Sequence, residues 1–89
     1  MDLPSAQLLP KDPPRMTRSR IQLIRAQILR VSEGALARFL GVSEITVRGW
    51  EIGLSEPSGP ASRLLEIAEC APQEFMKLVL NCSEQSAVR

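Results

Sequence analysis

The stretch Ser32 to Gly53, SEGALARFLGVSEITVRGWEIG, constrains this chain more than any other, because two helices and a tight turn are written into it. Ser32 and Ser43 each precede an apolar-periodic run, where a side-chain hydroxyl can accept from the free N–H groups of a first helical turn. The first run sets Leu36, Ala37 and Leu40 on one face, and Gly41 ends it by taking the left-handed conformation of a helix stop. Val42 anchors the turn, and the second run sets Val47 and Trp50 three residues apart on a buried stripe. Ala37, Gly41, Val42, Val47, Trp50 and Gly53 stand where two steeply crossing helices need small, turning, apolar, apolar, bulky and terminating residues.

The segment LGVSEITVRGWEIG, followed by EPSGPASRLLEIAECAPQ, resembles the helix-turn-helix of the Cro/lambda-repressor class of DNA-binding domains. Within that class it is similar to short antitoxin regulators of the HigA and MqsA kind. The resemblance runs from Ile24 to Val79. It implies a lambda-repressor-like domain acting as a homodimer on a two-fold, double-stranded DNA operator. It also implies a partner, a RelE/HigB-like ribonuclease toxin encoded alongside. MqsA-type relatives carry a zinc module ahead of this domain, and this chain has no histidine with which to build one.

With 89 residues and 44% apolar content, the chain suffices for one small domain with a modest core. Its three aromatic residues leave that core to Leu, Ile, Val and Ala, which suits a helical bundle. No apolar run approaches the length of a membrane span, and the Met1 segment lacks a signal-peptide apolar block, so a cytosolic protein is expected. Cys70 and Cys82, without histidine nearby, suggest neither a zinc site nor a disulfide framework and read as small buried helix residues. No metal or cofactor is expected.

Charge is unevenly placed. Residues 11–30 carry Lys11, Arg15, Arg18, Arg20, Arg25 and Arg30 against Asp12, a local +5. Residues 31–89 carry five basic and eight acidic groups, a local −3. A basic start on a slightly acidic body is compatible with phosphate contact from one side.

Taken in order, residues 1–15 hold four of the seven prolines and predict an extended or disordered arm. The helical domain is expected over residues 16–81, with a flexible tail at 82–89. Its first helix starts after Thr17 and runs to about Leu29, with Ile21, Ile24, Ile28 and Val31 facing the core. The resembled family usually leaves this helix through Gly or Asn. Here Arg30 holds that place, and the helix is one residue longer in register. Beyond the two motif helices, Ser58 caps a fourth helix with Pro60 in its first turn, buried through Leu64, Leu65, Ile67 and Ala68. Pro72 opens a fifth that frays from Asn81. The reading is all-α, with five helices and no strand.

The second motif helix, Glu44 to Glu51, is the expected recognition helix. With Val47 and Trp50 inward, Ser43, Glu44, Ile45, Thr46, Arg48 and Gly49 are left to face DNA. Glu44 can accept from a cytosine amino group, Ile45 can touch a thymine methyl, and Arg48 can reach a guanine or a phosphate. The family usually has Gln at the place of Glu33 and a polar or basic residue at Gly49, and both departures lower the expected affinity. Glu33, Arg38 and Gly59 complete the predicted DNA-contacting set, the last through its backbone amide. The resemblance further implies a structural pair between Arg25 and Glu51. The apolar stripe Phe75, Met76, Val79 and Leu80 is the predicted dimer surface. No enzyme is expected, since a serine or cysteine nucleophile would lack a histidine base. Two alternatives remain open: an interaction module on a helix-turn-helix scaffold with weak or lost DNA binding, and an ordinary regulator without a toxin.

Overall fold

In the computed structural model, which describes residues 8–87, the chain from Arg18 onward is helical throughout, apart from its connecting turns. Helix α1, Arg18–Leu23, passes directly into a π-helical segment, Ile24–Leu29. Then come α2 (Glu33–Leu40), α3 (Glu44–Glu51), α4 (Gly59–Cys70) and α5 (Pro72–Ala87). Each of the first four starts on a hydroxyl that the sequence places there. Thr17 accepts from the Arg20 amide, Ser32 from Ala35, Ser43 from Thr46 and Ser58 from Ala61. No helix among the described residues is long and apolar enough to cross a membrane.

The ends of α1 and α2 are built alike but for one residue. At the end of α2, the amides of Gly41 and Val42 both donate to the Ala37 carbonyl, with Gly41 left-handed at φ 76°. At the end of the π segment, the amides of Arg30 and Val31 both donate to the Arg25 carbonyl, with Arg30 left-handed at φ 59°. The second cap spans one more residue than the first. The extra residue seen in the sequence register is thus taken up as a wide π turn, and the chain still leaves the helix through a left-handed exit.

That wide turn changes which side chains face inward. Ile21 and Ile24 are buried as expected, but Leu29 joins the core at 5% exposure while Ile28 and Val31 are only partly buried. A strict 3.6-residue period cannot predict Leu29, because a π turn adds a residue per turn. The core gathers Ile21, Ile24 and Leu29 with Leu36, Ala37, Val47, Trp50, Leu65, Ala68 and Phe75. The Phe39 and Phe75 rings meet at 6.0 Å between centroids, tilted by 40°, and so tie α2 to α5.

Several expectations are corrected. Residues 9–16 carry no regular structure, as an extended arm would, and the end of this stretch touches the domain. Met16 is buried, Pro13 and Pro14 are half-buried, and the Lys11 carbonyl accepts from Arg63 Nη2. Residues 1–7 of the expected arm lie outside the described residues. Helix α5 continues through Ala87, past the polar turn at Asn81 where fraying was expected, so most of the expected tail is helical. Cys70 and Cys82 are free and exposed rather than buried. Ile67 is exposed because the face of α4 that meets the core is narrow, taking Ala61, Ser62, Leu65 and Ala68.

The basic start and acidic body partly neutralise each other. Arg15 pairs with Glu56, Arg20 with Glu69 and Arg25 with Glu51. Half of the six cations of residues 11–30 are therefore engaged inside the domain.

Candidate nucleic-acid interface

Helix α3 owes its orientation to three inward residues. Val47 is fully buried, Trp50 is 4% exposed, and the Glu51 carboxylate sits against Arg25. The Glu51 carbonyl also accepts from Gln22 Nε2 at 3.0 Å, so α1 holds this end of α3 through backbone and side chain together. What α3 turns outward follows from this. Ser43, Glu44, Ile45 and Arg48 are exposed, with Ile45 at 82%, while Thr46 and Gly49 are half-buried.

The polar members of this surface are held by one another and by α2. The hydroxyls of Ser43 and Thr46 share a hydrogen bond of 2.8 Å. Arg48 donates from Nε and Nη2 to Glu33 Oε1, at 3.3 and 3.2 Å. The Glu44 carboxylate lies over Gly34, with Oε1 3.2 Å from where a β-carbon would stand. Gly49 faces the loop after α3, where a β-carbon would come within 3.2 Å of Ser55 Oγ. The structure thus brings Glu33, Ser43, Glu44, Ile45, Thr46 and Arg48 into one surface formed by the α2–α3 pair, while Gly49 is turned to the loop after α3.

Two predicted members lie apart. Arg38 lines grooves between α2 and α5 with Phe39 and Val79, away from the outward face of α3. Gly59 opens α4, exposed, with open space where a β-carbon would be.

The sequence reading missed Arg18. Its guanidinium lies against Gly53, with Nη1 3.1 Å from where a β-carbon would stand, so it sits at the C-terminal end of α3. A cation is favoured there by the free carbonyls of a helix end. Nothing local signals this contact, since the two residues are far apart in the chain.

The expected dimer stripe divides. Phe75 is buried at 3% exposure, and Met76 and Val79 pack partly on the core. Leu80 is 56% exposed and Leu78, which was not predicted, 62%. Phe75 therefore closes the monomer, and the exposed apolar part of α5 is Leu78 and Leu80 beside a groove of about 400 Å³ lined by Phe39 and Val79. The long α5 explains the surplus, since one small core can cover only one side of it.

No family model matches the chain, and no curated protein matches it.

Proposed function

We propose that this chain is a sequence-specific DNA-binding repressor of the Cro/lambda-repressor class, working as a homodimer and serving as the antitoxin of a toxin–antitoxin pair. One observation carries the DNA-binding part: α3 stands with Ser43, Glu44, Ile45 and Arg48 exposed on one side while Val47, Trp50 and the Arg25–Glu51 pair lock its other side. A helix held this way can enter a major groove as a rigid body. The Ser43 cap uses the Thr46 amide, which leaves the earlier amides of that helical turn without an intrahelical partner and suited to a phosphate oxygen. The toxin and the autoregulated operon rest on the sequence resemblance alone.

The test is binding of the full chain to its own promoter at low salt, with Arg48→Ala as the comparison. Loss of about 1–3 kcal/mol on the promoter, and less on unrelated duplexes, is expected if Arg48 reads a base. A wild-type chain that binds no promoter DNA removes the repressor reading. The interaction-module reading then takes its place, favoured by the Glu33–Arg48 pair, which already occupies the outward cation of α3.

A further inference from the structure

On the reading that α3 enters a major groove, we propose that its sequence preference is carried by an apolar contact of Ile45 with the 5-methyl groups of pyrimidines. The proposal comes from elimination over the outward side chains of the first two turns. Ser43 and Thr46 hydrogen-bond to each other. Arg48 is held on Glu33. Glu44 lies over Gly34 on α2. Ile45 alone among them has no such partner, and at 82% it is the most exposed large apolar residue of the described chain.

The chemistry that matches an exposed isoleucine in a major groove is narrow. Base edges there present nitrogen and oxygen donors and acceptors, and the one apolar group is the methyl on C5 of thymine. A 5-methylcytosine presents the same group at the same place. Among the described residues, Arg18 and Arg30 are in no ion pair, unlike Arg15, Arg20 and Arg25. Arg18 stands at the C-terminal end of α3. Arg30 stands at the left-handed turn leading into α2, whose Glu33 reaches Arg48. Arg18, at the end of α3, can therefore meet a phosphate beside the groove that α3 enters.

The experiment selects duplexes bound by the full chain at low salt from two random-sequence pools, one unmodified and one with 5-methylcytosine for cytosine. Bound duplexes are remade with single thymines replaced by deoxyuridine, or single 5-methylcytosines by cytosine, each change removing only a methyl. The expected result is about a fourfold weaker binding at one or two positions of a half-site, the effect of losing one buried methyl. Ile45→Ala, on an exposed side chain, should fold normally and lose that sensitivity. Thymine is the source if sensitivity appears in the unmodified pool, and 5-methylcytosine if it appears only in the other. Bound duplexes indifferent to both replacements, or a sensitivity that survives Ile45→Ala, overturn the inference while DNA binding stands. If neither pool yields a bound duplex, the DNA-binding reading itself falls.

Discussion

The guanidinium of Arg25 grips Glu51 with two prongs, Nε to Oε2 at 2.7 Å and Nη2 to Oε1 at 3.1 Å, and gives its third edge to the Val31 carbonyl at 3.0 Å. One side chain of the π segment thus ties it to α3 and to the loop that leads into α2. The hydrogen bond to Glu51 pushes the Arg25 pKa above its ordinary value against the opposing effect of burial, so the guanidinium stays charged. Glu51 is 6% exposed and Arg25 is its carboxylate's partner, so the pair sets the angle of α3 more than it adds net stability.

Arg25→Ala and Glu51→Ala should each destabilise the domain by about 2–3 kcal/mol, because each strands a largely desolvated partner. The double variant should lose at least about 1 kcal/mol less than the sum, read from denaturant unfolding. Additive losses would show that the two groups do not couple.

Deleting Gln27, an exposed residue of the π segment, should leave a folded protein within roughly 1 kcal/mol of wild type. In an ordinary α-helix one deletion rotates everything beyond it by about 100° and wrecks the packed face. Here it converts the cap on the Arg25 carbonyl to the spacing already seen at Ala37. Thermal unfolding with a collapsed midpoint would mean that the π turn is needed for packing rather than being a tolerated insertion.

Arg30 holds a left-handed backbone at φ 59°, which costs a side-chain-bearing residue energy that glycine does not spend. Arg30→Gly should therefore raise stability by about 1 kcal/mol. If Arg30 meets a phosphate strand, the same variant should weaken DNA binding equally on all sequences and flatten its salt dependence by about one unit of slope. An unchanged salt slope would leave Arg30 as a loop residue only.

Leu80→Asp tests the dimer without disturbing the core, since Leu80 is 56% exposed whereas Phe75 is 3%. On the proposed homodimer reading, the variant should remain helical and sediment as a monomer while the wild type self-associates. A dimer that survives Leu80→Asp places the contact off α5.

The helices of this chain are legible because their signals are local. Thr17, Ser32, Ser43 and Ser58 cap within three residues of themselves, and Gly41 ends its helix within the same turn. The inward face of α3 follows from a spacing of three between Val47 and Trp50, both of which are buried. The Arg25–Glu51 pair, expected only from the resemblance, is closed at 2.7 Å.

Contacts between elements escape such reading. An extra residue before Arg30 is visible as a register shift, but a chain can absorb it as a longer loop, a kink or a π turn, and only packing against α4 and α5 selects the π turn that buries Leu29. Composition shows a basic segment and an acidic body, yet not that Arg15, Arg20 and Arg25 would spend their charge on Glu56, Glu69 and Glu51. Likewise the polar residues of α3 look free to meet a partner in sequence. Their engagement by Glu33 and Gly34 depends on how α2 crosses α3, a through-space relation that brings residues together across the turn and leaves Ile45 as the exposed exception. Caps, turns and periodic faces are properties of a few consecutive residues. Ion-pair partners, helix phase and side-chain availability are properties of the folded surface, because each depends on which distant residue arrives within a few ångströms.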